Sequence, residues 1–307
     1  MTQPSSATVP TPVAVPRPPE FEAYTLGLLS VAAFALTLPC AKALTGYLSA
    51  IQIGIFRSAI AALVALPILY FMRAPLPNRS QVKRLLLTSL GIVYGFPILT
   101  AVGMQYVPVS HGGVVLAALP LSTAIFATLI TRDRPPITFW LASLVGFALV
   151  AAFTIVRHGF GGIQMGDLAL LGAVVLAGYG YAQGGALSRE MKGWQVMCWM
   201  LAVNVPILLP LAWLTFDATA FNALGNIQWS ALAFLALVNS LFGFFSWNRA
   251  LAIGGIQRIS QLQLLQPFFT YAYSIALMNE SLDWLALGMC VAVVGVVVVS
   301  KRTLVKA

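Results

Sequence analysis

Charged residues are scarce in this chain: they make up 8% of its 307 residues, whereas 60% are hydrophobic. Soluble domains carry about 25% charged residues, so this chain lacks the side chains that would cover a globule in water. The mean hydropathy of +0.90 agrees with that deficit. The composition therefore excludes a soluble globular protein and predicts an integral membrane protein.

Cysteine and histidine are also rare, with three and two residues. Cys40, Cys198 and Cys290 lie inside apolar segments with no CxxC spacing, so neither a disulfide framework nor a metal site is indicated. The sequence has no HExxH, no P-loop, and no span that could hold a Ser/His/Asp set. These absences predict a protein that is not an enzyme and that needs no cofactor.

Apolar stretches long enough to cross a bilayer follow one another along almost the whole chain. A spanning helix needs roughly 20 mainly apolar residues, and the sequence predicts ten such helices. Residues 1–22 are rich in Pro, Ser and Thr and are predicted to form a disordered cytoplasmic tail. The predicted spans are 24–46, 49–72, 82–106, 109–131, 136–156, 167–187, 194–215, 227–252, 257–279 and 284–300.

The positions of the basic residues test this count. With the amino terminus inside, 14 of the 17 Lys and Arg fall in cytoplasmic segments, Lys42 and Arg157 fall outside, and Arg57 lies within a span. Such a bias is what the positive-inside rule predicts. Ten spans with both termini in the cytoplasm are therefore expected, and the net charge of +9 is explained without nucleic acid as a partner.

The two halves of the chain resemble each other weakly. Pro120 precedes Asp133 by 13 residues, and Pro267 precedes Glu280 by the same distance. Five spans per half mean that the second half enters the membrane from the opposite side, which predicts an inverted repeat. The two predicted units are 23–157 and 158–307.

One segment resembles a known family. The stretch SWNRALAIGGIQRISQLQLLQPFFTYAYSIALMNESL is similar to the fourth-helix signature of EamA-type transporters of the drug/metabolite transporter superfamily, with an Ala-Leu end, a short joint, a mid-helix proline and a terminal glutamate. Within that superfamily the chain looks closest to the YddG-type bacterial exporters of aromatic and other amino acids. The resemblance implies ten helices in two inverted five-helix EamA repeats around a central cavity, alternating access, and a place in the bacterial inner membrane. The chain departs from the family's Gly-Glu pair, which is Arg132-Asp133 in one half and Asn279-Glu280 in the other.

The ninth predicted helix interrupts the apolar pattern with a polar stripe. At 100° per residue its polar side chains fall within an arc of about 120°. Lipid cannot satisfy amides and hydroxyls, so this stripe must face protein or water. We favour a substrate cavity, with bonding to neighbouring helices as the alternative. The stripe consists of Ser260, Gln263, Gln266, Thr270 and Ser274, together with Pro267.

The fourth helix, the counterpart of the ninth, is almost purely apolar between Val114 and Leu121. A cavity with one polar and one apolar wall suits a zwitterion with a large apolar side chain. Each aromatic candidate could instead pack in the core or lie at the membrane interface. The predicted substrate-binding residues are Gln263, Gln266, Ser260, Thr270, Tyr271, Tyr94, Tyr179, Trp199 and Trp247. Pro120 and Pro267 are predicted hinges, with a static kink as the alternative.

Energy coupling and the intramembrane cation complete the sequence-based picture. No carboxylate lies in mid-span, the position where proton-coupled carriers commonly hold one. His111 is the one residue near a span that ordinarily titrates close to neutral pH, so we expect gradient-driven transport with no obligatory proton. For Arg57, a structural bond to helix-end carbonyls is favoured over contact with a substrate carboxylate.

The sequence thus predicts an inner-membrane exporter of amino acids, mainly aromatic and other large hydrophobic ones. Its expected surroundings are a small-molecule substrate and the lipid bilayer, with no obligatory protein partner and a monomeric state. A broad-specificity, proton-coupled exporter of drugs or hydrophobic metabolites is the alternative. A scaffold or lipid scramblase would not need the polar stripe of the ninth helix.

Overall fold

The computed structural model describes residues 20–131, 136–158 and 165–278, with isolated positions between 284 and 296. Every regular element within this part of the chain is a helix. Three parts of the sequence-based prediction lie outside the described residues. They are residues 1–19 of the predicted tail, the acids that correspond between the two halves (Asp133 and Glu280), and most of the predicted tenth span.

Nine helical segments of the described residues coincide with the first nine predicted spans. We number them α1 (Glu20–Leu44), α2 (Ala50–Phe71), α3 (Arg79–Tyr106), α4 (Val109–Ile130), α5 (Ile137–His158), α6 (Met165–Leu187), α7 (Gly193–Ala202 with Val205–Thr215), α8 (Asn226–Gly254) and α9 (Ile256–Ser260, Gln261–Leu265 and Gln266–Met278). A short helix, Ala218–Asn222, lies between α7 and α8.

Six of these helices are long and apolar enough to cross a membrane, namely α1 to α4, α6 and α8. The two parts of α7 meet at 55° and would form a seventh span. The prediction of an all-helical membrane protein is therefore confirmed, whereas the count of ten stays a prediction. The first helix begins at Glu20, inside the segment predicted to be a tail.

Capping residues and joints fix where several helices begin. Ser49 and Gln52 form a capping box at the start of α2, with the Gln52 amide N–H donating to the Ser49 hydroxyl and the Ser49 amide N–H donating to the Gln52 side chain. The joint between α8 and α9 is a single residue, Gly255, with φ of +86°. A residue without a Cβ reaches that conformation at no steric cost, which allows so tight a turn.

Mid-span irregularities recur in corresponding helices of the two halves. Wide, π-helical turns occur in α3 at Leu90–Gly95 and in α8 at Phe234–Phe242. Tight turns precede the predicted hinges: residues 117 and 118 bond three residues back ahead of Pro120, and Gln261–Leu265 is a 3-10 segment ahead of Pro267. The same irregularity at the same place in each half supports a duplicated unit, and the opposite orientation of the halves stays a prediction.

Two mid-span prolines are accompanied by hydroxyl groups from neighbouring helices. Proline has no N–H, so the carbonyl four residues earlier loses its helical partner. The carbonyl of Ala35, four residues before Pro39, accepts a bond of 3.1 Å from the Thr270 hydroxyl. The carbonyl of Val93, four residues before Pro97, accepts one of 2.8 Å from Ser58. These bonds favour static kinks at Pro39 and Pro97.

Polar contacts connect the helices at both ends. At the predicted cytoplasmic end, the start of α1 bonds to α8 and α9 through Arg249–Glu22 and Arg258–Glu20, the latter at 2.8 Å. At the predicted outer end, His111 Nε2 of α4 lies 2.5 Å from Asp167 Oδ1 of α6. Each group joins helix ends that the predicted topology places on one side of the membrane.

Candidate functional site

The polar stripe of α9 is a buried face. Its five members, the α9 polar face, are Ser260, Gln263, Gln266, Thr270 and Ser274, and each is at most 2% exposed. This confirms that the stripe faces protein rather than lipid. The tight turn at Gln261–Leu265 lies within this face, between α1 and α4, which both pack against it.

Two glutamines of the α9 polar face have polar atoms without partners. Among the described residues, neither Oε1 nor Nε2 of Gln263 has a hydrogen bond, and nor does Oε1 of Gln266. The other members are satisfied locally or structurally: Ser260 donates to the Gln257 carbonyl, and Thr270 to Ala35. An unpaired buried amide group costs about 1–3 kcal/mol. The two glutamines are therefore the members whose hydrogen-bonding capacity is not fully used among the described residues.

An aromatic cluster joins α1, α6 and α8. Phe34 of α1 packs against Phe244 of α8 with ring centroids 5.0 Å apart, and against Trp247 at 6.0 Å. Tyr181 of α6 lies 5.7 Å from both α8 rings. Trp247 is fully buried, and its Nε1 has no hydrogen-bond partner among the described residues. The aromatic cluster of Phe34, Tyr181, Phe244 and Trp247 thus offers apolar surface and one indole donor.

A buried hydrogen-bonded chain runs from α2 to α1. Arg57, 2% exposed, donates from Nε to the Ser240 hydroxyl at 2.9 Å and from Nη2 to Asn239 Oδ1 at 2.5 Å. Asn239 Nδ2 donates to the Thr37 hydroxyl at 2.6 Å, which donates to the Phe34 carbonyl at 2.5 Å. Asn239 and Ser240 belong to the wide turn of α8. Arg57 thus makes structural bonds, as expected from the sequence, but the expectation that its partners are helix-end carbonyls was wrong, since both are side-chain oxygens in the middle of α8.

The break in α1 at residue 36 connects these features. Phe34 supplies a ring to the aromatic cluster, Ala35 accepts the Thr270 hydroxyl of α9, and Thr37 ends the chain that starts at Arg57. Irregular or broken spanning helices are typical of binding sites in membrane transporters, because freed backbone and side-chain groups are tolerated where they line a cavity. The surroundings of this break form the candidate site.

Three of the predicted binding residues make contacts elsewhere. Tyr94 donates to Asn204 Oδ1, at the bend of α7, over 3.1 Å. Trp199 Nε1 donates over 3.1 Å to the carbonyl of Pro75, in the loop between α2 and α3. Tyr179 packs edge-on against Phe126 at 5.6 Å. Tyr271 is half-buried on α9, and Trp247 is the predicted aromatic that belongs to the aromatic cluster.

A pocket opens at the predicted outer end of the bundle. It has a volume of about 420 Å³ and is lined by Lys42, Tyr106, Val107, Pro108, Val109 and Met278. Lys42 donates to the carbonyls of Met104 at 2.7 Å and Val107 at 3.3 Å. The lining residues come from the ends of α1, α3 and α9, the start of α4 and the joint before it, so this pocket lies where four helices meet at one end of the bundle.

Among the described residues, acids lie near the helix ends and loops, whereas a cation, Arg57, lies in the core. No acid among them is fully buried, and Asp167, the least exposed, is the one bonded to His111 at the start of α6. Within the same part of the chain, no group of three His, Cys, Asp or Glu could hold a metal ion. The core therefore combines one cation, neutral amides and aromatic rings.

Comparison with known proteins identifies the kind of molecule that carries this site. The sequence model of the EamA-like transporter family matches the chain twice, over residues 22–156 and 164–301. The chain belongs to the EamA-like transporter family. The broader part of the sequence-based resemblance is thereby confirmed, while the resemblance to aromatic amino acid exporters stays a prediction.

Relatives of this EamA-like transporter match most of its length. It is 36% identical over 276 residues to "Uncharacterized transporter YdeK" of Bacillus subtilis (strain 168), covering 90% of this chain and 96% of the relative. It is 25% identical over 273 residues to "Uncharacterized transporter YyaM" of the same organism, covering 86% and 88%. A solved structure described as "Crystal structure of protein" aligns with a TM-score of 0.71 at 14% identity, covering 93% of this chain and 98% of that one, which shows the shared fold.

Sequence reasoning missed several core residues of this EamA-like transporter. Thr37, Asn239 and Ser240 were not singled out, although a polar pair in the middle of the apolar run LALVNSLF is a visible signal. Phe34 and Phe244 gave no signal, because a phenylalanine in a membrane helix is ordinary. Thr123 of α4, whose hydroxyl has no partner among the described residues, lies two residues beyond the stretch that was judged apolar.

Proposed function

We propose that this EamA-like transporter exports amino acids with large apolar side chains, chiefly aromatic ones, across the bacterial inner membrane by alternating access. The observation that carries the proposal is a pair of buried glutamines with unsatisfied amide atoms, Gln263 and Gln266, on a helix that packs against α1, which also carries Phe34 of the aromatic cluster. Amide oxygens can accept from an ammonium group, and the rings can hold an apolar side chain. The direction of transport follows the family resemblance.

The alternating motion is proposed to pivot at Pro120 and Pro267. Each follows a tightened turn in the fourth helix of its half, and such mid-helix turns often mark hinges. Replacing either proline with alanine should slow exchange while leaving the half-saturating substrate concentration unchanged. A loss of folded protein with no change in exchange rate would assign these prolines a purely structural role.

Transport is proposed to follow the substrate gradient without an obligatory proton, with the transporter acting as a monomer whose termini are both cytoplasmic. Among the described residues no acid lies in the core, and His111 is bonded to Asp167 at a helix start. A proton-coupled exporter of hydrophobic cations is disfavoured, because a cationic substrate would meet Arg57 there instead of a counter-charge.

Counterflow in liposomes tests the proposal. Vesicles containing the purified transporter and unlabelled phenylalanine should accumulate labelled phenylalanine, at a rate that does not depend on an imposed pH gradient. Gln263→Leu and Gln266→Leu should each lower the rate, because leucine cannot accept from the ammonium. Gln105→Leu, which makes the same exchange at an exposed position of α3, is the matched control. Wild-type vesicles that show no counterflow with any large apolar amino acid would refute the proposal.

A further inference from the structure

The cations of the described residues fall into two groups by their partners. Four of them are buried or half-buried: Lys42, Arg57, Arg84 and Arg258. Arg84 and Arg258 each bond to an acid, at 2.5 Å and 2.8 Å. Arg57 and Lys42 bond to neutral oxygens alone among the described residues. The two cations without a counter-charge are the one in the core and the one that lines the outer pocket.

Arg57 lies so deep in the predicted membrane span that the lack of an acidic partner is costly. It is seven residues inside α2, which is about 10 Å along the helix axis. A guanidinium at that depth is costly unless it is paired or hydrated, and neutral hydrogen-bond partners offset only part of the cost. An anion brought to Arg57 would supply the missing counter-charge.

Some N–H donors of the Arg57 guanidinium make no hydrogen bond among the described residues. Arginine carries five N–H bonds arranged as a fork that matches a carboxylate. Within the described residues, Nε donates to Ser240 and Nη2 donates to Asn239, while Nη1 makes no hydrogen bond. The side chain is therefore oriented by α8 with one end of its fork available.

The surroundings of Arg57 fit an anion that also carries an apolar group. The chain through Asn239 and Thr37 ends at the carbonyl of Phe34, whose ring belongs to the aromatic cluster. A charged group at Arg57 would thus be connected, through these hydrogen bonds, to the turn of α1 that carries the Phe34 ring. Both neighbouring helices, α1 and α8, are irregular at this point.

We propose that Arg57 is the carboxylate-binding residue of this transporter, so that a carboxylate is an obligatory part of the substrate and Lys42 attracts the same group at the outer pocket. The inference rests on the proposed function for the identity of the substrate and adds which of its groups is indispensable. It requires that amines and amides of the same shape are rejected.

Competition with a matched series of ligands tests this inference. Labelled phenylalanine counterflow is challenged with unlabelled phenylalanine, phenylalaninamide, phenethylamine and 3-phenylpropionate. Loss of a charge-assisted bidentate bond weakens binding by roughly tenfold or more, so the amide and the amine should compete at least about tenfold less well than phenylalanine. In parallel, the shift in thermal unfolding temperature caused by each compound is measured on the purified transporter.

Variants give a second line of evidence. Arg57→Lys keeps the charge and loses the fork, and Arg57→Gln loses both, so competition by carboxylates should fall progressively in that order. Lys83→Gln, which removes an exposed cation of α3, is the control and should leave competition unchanged. If Arg57→Gln does not fold, the wild-type ligand series decides alone.

The outcomes separate the two proposals. Equal competition by phenylalanine and phenylalaninamide would overturn the role of Arg57 and leave amino acid export standing. Stabilisation by 3-phenylpropionate without any phenylalanine counterflow would support Arg57 as a carboxylate site and overturn amino acid export. Failure of every carboxylate to compete or to stabilise the protein would overturn both.

Discussion

Thr270 was predicted from the sequence to bind substrate, but its hydroxyl donates to the carbonyl of Ala35, at the kink in α1. We therefore predict that Thr270 stabilises this kink. Thr270 is fully buried, and its hydroxyl donates to a carbonyl that Pro39 deprives of its helical partner. Thr270→Val keeps the shape of the side chain and removes the donor. Polar contacts between membrane helices average about 0.6 kcal/mol and reach about 1.7, so we expect the free energy of unfolding to fall by about 1 kcal/mol.

The free energy of unfolding that Thr270→Val removes should be smaller when Pro39 is replaced as well. In Pro39→Ala, residue 39 regains an N–H that can reach the Ala35 carbonyl, because the next residue already bonds four back, from Cys40 N–H to the Leu36 carbonyl at 3.0 Å. Thr270→Val should then cost less than about 0.5 kcal/mol. The four proteins of this double-mutant cycle are compared by equilibrium unfolding in mixed micelles.

A control separates this effect from the general cost of removing a buried hydroxyl. Thr88 is fully buried in α3 and donates over 2.7 Å to the carbonyl of Arg84, which the regular helix already supplies with a backbone donor. Thr88→Val should therefore cost less than Thr270→Val. If Thr270→Val costs the same with and without Pro39, within about 0.3 kcal/mol, the hydroxyl does not compensate for the proline and the reasoning is refuted.

Three further predictions concern helix packing, a joint between two helices and the His111–Asp167 pair. Gly178→Ala should destabilise the protein by about 1–3 kcal/mol in thermal or denaturant unfolding, because the added Cβ would lie 2.1 Å from the Ser122 hydroxyl of α4. Gly46→Ala is the control and should be near neutral, because nothing lies within 4 Å of its added Cβ. Gly255→Ala should cost about 1–3 kcal/mol by the same measurement although its Cβ would also meet nothing, since the cost is that of a φ of +86°. Asp167→Asn should lower the free energy of unfolding by about 1.5–3 kcal/mol, because the carboxylate bonds to His111 at 2.5 Å; an unchanged unfolding midpoint would contradict this.

Helix positions were predictable because they depend on local composition. Crossing a bilayer demands about 20 apolar residues in succession, and this requirement can be read from the chain without knowledge of any neighbour. The burial of the α9 polar face was predictable for a related reason, since lipid cannot satisfy Gln263 or Gln266 and the helical period places them together. The joint at Gly255 was marked by its glycine pair.

The partners of individual side chains were not predictable in the same way. Trp199 and Trp247 are chemically alike in the sequence, yet Trp199 bonds to a loop carbonyl while Trp247 is fully buried in the aromatic cluster. Which one reaches the core depends on the rotation and bend of α7 and α8 against their neighbours. Those angles follow from packing, for which a single sequence gives no measure.

The sequence by itself determined that this protein lies in a membrane, which family it resembles and where its polar helix is, because these depend on composition, spacing and period within one segment. The tertiary structure decided which distant side chains the buried polar groups meet. It brought Arg57 of α2 to Asn239 and Ser240 of α8, more than 180 residues away, and left the cation without an acid among the described residues. Hydrogen bonds between distant segments depend on how the helices pack, so only the folded chain shows that its buried charge is unpaired.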